Sequence, residues 1–362
     1  MSDASAPASA DAHAVEIHGR VLPEYPAWVG AAFAPFGNGL INKTFLLTRP
    51  DGARAVLQRV NPIFSPAIHQ NIVAVTERLA AVGLTTPSLV PTETGQPFVM
   101  VEGAVWRVLT YVDGVSFDVV SGEAQARAAG ALIARFHRAL DGMDHTFVGR
   151  RAGVHDTPLH LSRLDEAVAA HPQHRLAAEV GVLAQAIRTG AAALAPLPAL
   201  PPRVCHGDLK FNNVLFAGTS APASEQPVCL IDLDVVGPLS LAYEMGDAWR
   251  SWCNRAGEDE PRADLNLDVF RASLDGYREG LGRALDAGER AGLLLGVEWV
   301  SLGLAARFAA DALREDYFGW DARRFAGRGE HNLVRARGQW SLHQALLATR
   351  DARAAMLGLA AV

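Results

Sequence analysis

Between positions 206 and 234 the chain gathers side chains that could do chemistry: His206, Asp208, Lys210, Asn212, Asn213, Asp232 and Asp234, set among apolar residues able to anchor a buried framework. Polar groups on loops held by short buried strands are the usual way to build a rigid site. An isolated aspartate is well explained as a turn cap; two sets of carboxylate and amide oxygens joined by a short hairpin call for more. Their chemistry suits phosphoryl transfer from ATP, which needs a carboxylate beside the acceptor hydroxyl and hard oxygen ligands for a magnesium ion bridging the phosphates. Asp208 fits the first role, and Asn213 and Asp232 fit the second as metal ligands. Five residues separate Asp208 from Asn213, so one short loop can aim the first at the acceptor and the second at the metal. Asp234 has three open readings: a metal contact, a contact to metal-bound water, or a turn cap.

Such loops need elements to hold them. The runs RVCHGDLKFNNVLF and PVCLIDLDVVG read as short strands with loops between, separated by an Ala/Ser/Pro/Gly turn at 217–227 and approached through the proline-marked segment 194–203. Nearer the amino terminus, Thr44–Thr48 and Ala53–Val60 are strand-like and flank a Pro50-Asp51-Gly52 turn, a hairpin signature. Ile68, Ile72, Val75 and Leu79 make an apolar stripe that predicts a helix over about 68–82. Strand-like runs at 97–101 and 104–112 follow, and Asp113-Gly114 marks a break. Beyond it the pattern is helical at 122–140, 161–190 and 264–287. The expected division is a flexible tail at 1–22, a sheet-bearing region at 23–113 and a larger helical region at 114–362.

The spacing of His206, Asp208 and Asn213 is that of the HxDxxxxN catalytic loop of kinases, with IDLD at 231–234 as the later magnesium aspartate motif. HGDLKFNN (206–213) with IDLD resembles the aminoglycoside phosphotransferase and choline kinase superfamily, whose fold is similar to that of protein kinases. FGNGLINKTF (36–45), VLQRVN (56–61), WRVLTYV (106–112), CLIDLDVVGPLSLAYEMGDAWR (229–250), RFAADALREDYF (307–318) and HNLVRARGQ (331–339) together resemble bacterial N-acetylhexosamine 1-kinases. The resemblance covers nearly the whole chain beyond the first 25 residues. It implies an α+β, two-lobed, protein-kinase-like fold with a small sheet-bearing N-lobe and a large, mainly helical C-lobe. It also implies ATP-dependent phosphorylation, with Mg2+, of the anomeric hydroxyl of N-acetylglucosamine or N-acetylgalactosamine, giving the sugar 1-phosphate and ADP. The alternatives are a kinase of another small hydroxyl acceptor (a different sugar, an aminoglycoside or a choline-like alcohol) and a nucleotide-binding scaffold without catalysis.

Carried onto this chain, the resemblance makes Asp208 the group that orients the acceptor hydroxyl and takes its proton late in transfer, and makes His206 a support of the loop. Gly37, Asn38, Gly39 and Asn42 become a nucleotide-covering turn; it lacks GxxxxGK[ST] and is not a Walker A site. The lysine that kinases carry on their third strand is missing. Arg59 or the adjacent Gln58 can face the phosphates, since strand alternation admits only one, and Arg59 is favoured for its bidentate guanidinium. Glu77 is either its partner or a solvated helix charge. Trp106 and Arg107 precede the expected inter-lobe connection, with Trp106 read either as adenine neighbour or as core. Asp247 and Arg250 either border the acceptor pocket or form a structural ion pair. Arg307 and Tyr317, near Asp311 and Asp316, are the expected sugar contacts. His331, Asn332, Arg335 and Arg337 are either a subgroup motif or a helix start with a packing network.

Composition narrows the class. With 362 residues, 49% hydrophobic and 20% charged, the chain can bury sizeable cores, which excludes a short disulfide scaffold, a collagen and a largely disordered protein. Thirty-three basic against 39 acidic residues give a net charge of -6 with no basic block, which argues against nucleic-acid binding; an acidic total is no objection to holding ATP through magnesium and a few local cations. The expected partners are a nucleotide and a small-molecule sugar, with no nucleic acid and no membrane. Three cysteines without CxxC spacing point to a reduced, cytoplasmic setting and give no support to a zinc site. The first residues lack the basic start and apolar run of a signal peptide, and the apolar stretch 293–306 is interrupted by Glu298, so no transmembrane segment is expected.

Overall fold

The computed structural model describes residues 14–37 and 41–360. It divides into two units, one of Met1–Ala80, Thr86–Asp113 and His145–Arg151, the other of Ala81–Thr85, Gly114–Asp144 and Ala152–Val362. The first bears a sheet and the second is mainly helical, which is the α+β character expected from the sequence.

In the first unit the strands are β1 (Ala32–Pro35), β2 (Lys43–Thr48), β3 (Arg54–Arg59), β4 (Leu89–Val90), β5 (Val99–Val101) and β6 (Ala104–Thr110), with helix α1 at Ile68–Ala81. They pair antiparallel in the order β1-β2-β3-β6-β4, with β5 also on β6. The β2–β3 turn is closed by the Gly52 N–H donating to the Arg49 carbonyl at 2.9 Å, and the Asp51 carboxylate receives the Ala53 N–H at 3.1 Å. Alternation turns Leu47, Ala55, Leu57, Trp106 and Val108 to one face, where Ile17, Val21, Leu22, Tyr25 and Trp28 cover them. Folded chain therefore begins earlier than the sequence suggests: Ile17 and Val21 are fully buried, so the expected tail at 1–22 is corrected for its last residues, while residues 1–13 lie outside the described ones. Pro23 and Pro26 open the two short 3-10 turns that let this segment follow the sheet. In α1, Ile68, Ile72, Val75 and Leu79 are buried as their spacing requires. The Asn71 side chain on the same helix receives the Val148 N–H at 3.0 Å and donates to the Val148 carbonyl at 2.7 Å, which ties 145–151 to this unit.

The second unit contains β7 (Val115–Ser116), α2 (Glu123–Leu140), α3 (Thr157–Ala170), α4 (Ala177–Ala193), β8 (Arg203–Cys205), β9 (Val214–Phe216), β10 (Pro227–Leu230), β11 (Gly237–Leu239), α5 (Leu241–Trp252), α6 (Leu267–Leu281), α7 (Ala287–Arg314), α8 (Arg328–Ala348) and α9 (Arg350–Met356). The helical stretch expected over 161–190 is two helices, broken at 171–176 where Pro172 can supply no helical N–H. Helix α7 is the axis of this unit and packs against α3, α4, α5 and α8. By length and composition it is apolar enough to cross a membrane; here most of its apolar window is buried inside the protein. Helices α2 and α6 touch backbone to backbone: a Cβ on Gly130 would lie 2.1 Å from the Ser273 carbonyl oxygen, and one on Gly276 would lie 1.9 Å from that of Arg127.

Candidate active site

Strands β8 and β11 pair antiparallel, with Gly237 opposite Cys205 and Leu239 opposite Arg203, while β10 pairs with β9. This brings the loop after β8 (206–213) and the loop after β10 (231–236) side by side. Gly207 has φ +84°, and a Cβ there would meet the Val235 carbonyl oxygen at 2.9 Å, so only glycine lets the two loops approach. Asp232 also has positive φ, at +67°, a conformation that aspartate tolerates better than most residues. Ile231 pins the second loop to both ends of the first: its N–H donates to the Asn213 carbonyl at 2.9 Å, and its carbonyl accepts from His206 Nε2 at 2.8 Å. Because a carbonyl can only accept, His206 carries its proton on Nε2, and Nδ1 is left to accept the Asp208 N–H at 3.3 Å. The buried imidazole is thus committed to the backbone.

Asn213 Nδ2 donates to the Asp208 carbonyl at 2.8 Å and to Asp208 Oδ2 at 3.3 Å, which turns the amide oxygen of Asn213 away from Asp208. Lys210 Nζ lies 3.2 Å from Asp208 Oδ2, and the two side chains remain 33% and 28% exposed, open enough to meet a ligand. Asp208 is the main cause that holds the Lys210 ammonium above the usual lysine range; Glu258 and Asp232 add to it, against burial and Arg250. Asp232 therefore shares the electrostatic neighbourhood of Asp208. The carboxylate of Asp232 and the amide oxygen of Asn213 are hard oxygen donors, so the residues present fit a divalent cation by donor chemistry. Asp234 is buried, and Asn212 is exposed with its amide on Asp118 at 3.3 Å.

Helix α5 acts as a rail for the catalytic loop. The Glu244 carboxylate receives the N–H groups of His206 (2.8 Å) and Gly207 (2.9 Å). Asp247 receives the Leu209 N–H at 2.7 Å, and Ser251 Oγ receives the Phe211 N–H at 3.1 Å. Trp252 Nε1 donates to the Leu209 carbonyl at 2.7 Å, and His155 Nε2 donates to the Gly207 carbonyl at 2.9 Å. Burial acts to raise the Glu244 carboxyl, but the hydrogen bond from His137, the pull of His137 and His206 and the Gly207 N–H outweigh it and hold the group below the usual carboxylate range. Asp247 is likewise lowered, with burial opposed chiefly by Arg250 and then by His155 and Lys210. Glu244, Ser251 and Trp252 were not singled out from sequence. The signal was available: at 244, 247 and 251 the polar positions of YEMGDAWRSW recur at three and four residues, one helix face.

The other expected site residues of this unit have the following partners. Of the two readings of Asp247 and Arg250, the structure shows the ion pair: it is buried, i,i+3 and 2.9 Å long, with Asp247 also receiving the loop's Leu209 N–H and Arg250 also held by Glu258. Arg307 lies over the rings of Tyr317 and Phe318, 5.6 and 5.2 Å from their centroids, so the two expected sugar contacts are neighbours. The turn that carries Tyr317 is drawn in by Asp311, whose carboxylate receives the N–H groups of Asp316, Tyr317 and Phe318 and the amide of Asn332. Arg335 joins Asp259 (2.7 Å) to the Gly319 carbonyl (2.8 Å), and His331 stacks on Phe325 and pairs with Asp259. Arg337 points away to Glu179.

On the first unit, Gln58 and Arg59 face opposite sides. Gln58 shares its face with Thr44 and Arg107: its Nε2 donates to Thr44 Oγ1 at 3.2 Å, and its Oε1 accepts from Arg107 Nε and Nη2 at 2.9 and 2.7 Å. Arg59 is opposite Trp106, on the side covered by the amino-terminal segment, which corrects the preference for Arg59 as the phosphate contact. Glu77 is exposed, and among the described residues no ion pair joins it to Arg59. Trp106 is wholly buried, stacks on Phe45 and donates to Glu16; it is core. Gly37 follows β1 with φ +75°, and the Asn42 amide oxygen receives the Asn61 N–H at 2.9 Å; Asn38 and Gly39 lie outside the described residues.

Comparison with known proteins bears on the family and the fold. The profile of the phosphotransferase enzyme family matches residues 32–292. A homoserine kinase of Methylobacterium radiotolerans is 26% identical over 285 residues, covering 76% of this chain and 78% of the relative. Among solved structures, a microcompartment-associated aminopropanol kinase is similar with a TM-score of 0.58 at 17% identity, covering 94% of this chain and 98% of that one. The amicoumacin kinase hAmiN, in complex with AMP-PNP, Ca2+ and Ami, gives a TM-score of 0.57 at 12% identity, covering 85% and 87%.

Proposed function

This chain belongs to the phosphotransferase enzyme family, and from that premise we propose that it transfers the γ-phosphoryl group of ATP to a hydroxyl of a small acceptor, with Asp208 as the catalytic carboxylate. The observation that carries the reading is the pairing within one loop: the part-exposed Asp208 carboxylate lies against both the Asn213 amide and the Lys210 ammonium, and Ile231 ties the Asp232 loop to Asn213. Asp208 orients the acceptor hydroxyl through a hydrogen bond to its Oδ atoms and takes the proton as the new O–P bond forms. Lys210 keeps that carboxylate in place and puts positive charge beside the reacting oxygens. Asn213 and Asp232 would hold a divalent cation, magnesium in this proposal. When bound, such a cation would neutralise negative charge on the phosphate. On the first unit, the polar face of Thr44, Gln58 and Arg107 is the proposed phosphate contact in place of Arg59, alongside Gly37 and Asn42.

For the acceptor, the sequence resemblance supports an N-acetylhexosamine phosphorylated at its anomeric hydroxyl, with Arg307 and Tyr317 as ring and hydroxyl contacts. A second reading, the side-chain hydroxyl of homoserine, is favoured by the similarity to a homoserine kinase. A cytoplasmic setting suits three cysteines that form no disulfide and an ATP-dependent reaction. The test is incubation of the purified protein with ATP, Mg2+ and N-acetylglucosamine, N-acetylgalactosamine, homoserine or an amino alcohol, with products identified by phosphorus NMR. An anomeric phosphate supports the first reading and O-phosphohomoserine the second. ATP binding without a phosphorylated product from any acceptor would leave only the scaffold.

A further inference from the structure

Under the catalytic loop runs a chain of buried polar groups that phosphoryl transfer itself does not touch. His137 of α2 places Nε2 3.2 Å from Glu244 Oε1 and Nδ1 2.9 Å from the Tyr277 hydroxyl of α6. Arg203 Nη1 lies 3.4 Å from the same phenolic oxygen. His137, Glu244 and Tyr277 are at most 4% exposed. With Cys205, the ligand atoms of His137 and Glu244 fall within 4.8 Å of one another, a spacing that would suit a metal. Their hydrogen bonds argue otherwise: both imidazole nitrogens are occupied, Glu244 already receives two backbone N–H groups, and the Cys205 thiol donates to the Leu239 carbonyl.

The direction of the chain follows from what each group can do. Arg203 only donates, so the Tyr277 oxygen accepts from it and is left to donate its own proton to His137 Nδ1. The proton of the neutral ring is then on Nε2, facing Glu244, whose carboxylate accepts. We propose that His137 is a positioning residue for the catalytic loop: locked by Tyr277 in the Nε2–H tautomer, it keeps Glu244 ionised and aimed at the two N–H groups that precede Asp208. The proposal rests on Asp208 being the group that meets the acceptor hydroxyl. Without the His137 donor, Glu244 Oε1 loses the side-chain hydrogen bond that fixes it beneath the His206 N–H, and the carboxylate's hold on the loop loosens. The loop then loses its register, and Asp208 moves relative to the acceptor.

The test compares His137→Leu, His137→Gln and Tyr277→Phe. Loss of the donor in His137→Leu should lower kcat by about 10–100-fold, the scale of an ångström-sized misplacement, and change kcat by a larger factor than KM for ATP. His137→Gln puts an amide N–H near the position of Nε2 and should recover most of kcat. Hydrogen exchange of the peptide spanning 205–209 reads the loop without turnover: it should be faster in His137→Leu and slowed again in His137→Gln. If His137→Leu does not fold, Tyr277→Phe takes its place in both measurements. Unchanged exchange in the folded variants, or a His137→Leu protein whose kcat equals that of the parent, overturns the positioning role. A parent protein inactive on every acceptor would count against the acceptor reading, and the exchange comparison would still decide this one.

Discussion

Asp208 gains its position from neighbours on its own loop, Asn213 and Lys210, and its side chain stays 28% exposed. Replacing Asp208 by Asn preserves shape and removes the proton acceptor, so turnover should fall by about 10²–10⁴-fold with the melting temperature nearly unchanged; kinetics paired with thermal unfolding check both halves. Undiminished turnover would remove Asp208 from the mechanism. Arg59 lends itself to an equally direct measurement. Because its side chain lies on the covered face of the sheet, Arg59→Ala should leave KM for ATP unchanged, whereas Gln58→Ala or Arg107→Ala should raise it. A rise in Arg59→Ala alone would return the phosphate contact to Arg59.

At the scale of elements, α5 and the α2–α6 pair set the site. Asp247 joins the rail to the loop and neutralises Arg250, both buried, so Asp247→Ala removes an N–H acceptor and strands a guanidinium with only Glu258. Breaking a buried pair in this way costs about 3–5 kcal/mol, readable as a shifted midpoint in denaturant unfolding. The α2–α6 contact depends on bare backbone. With a Cβ 1.9 Å from the Arg127 carbonyl oxygen, Gly276→Ala forces the helices apart. The expected loss is at the upper end of about 1–3 kcal/mol, and since His137 and Tyr277 come from these two helices, kcat should fall in the folded fraction as well. A protein of normal stability and turnover would show that the helices can separate without moving the loop.

For the whole molecule the buried titratable groups prescribe a pH dependence. Desolvation, the largest cause in each, depresses His331 and His343 below the usual histidine range, so the unfolded chain binds protons that the folded one refuses, and stability declines as pH falls below about 6.5. Glu244, Asp247 and Asp259 are depressed too. Their contribution is complete above the ordinary carboxylate range, near pH 4, and is lost as pH falls through it toward their folded values. Melting temperature should therefore be flat from pH 7 to 8, fall gently below about 6.5 and steeply below about 4. Glu244→Gln should flatten the steep limb, and a single steep fall at pH 6 would contradict the assignment to carboxylates.

What the sequence determined by itself was whatever neighbouring residues decide together. The β2–β3 hairpin, the α1 stripe, and the aspartate and asparagine of one loop were legible because alternation, turn chemistry and five-residue spacing act over short stretches. Tertiary structure alone decided which face of β3 is covered, since the cover comes from residues 17–28, and it alone set Asp247 of the Asp247–Arg250 pair beneath the Leu209 N–H. It alone joined His137 to Glu244 and Tyr277, 107 and 140 positions away. Burial and hydrogen-bond partners are properties of packed elements, and no local periodicity encodes which distant helix will lie beneath a loop.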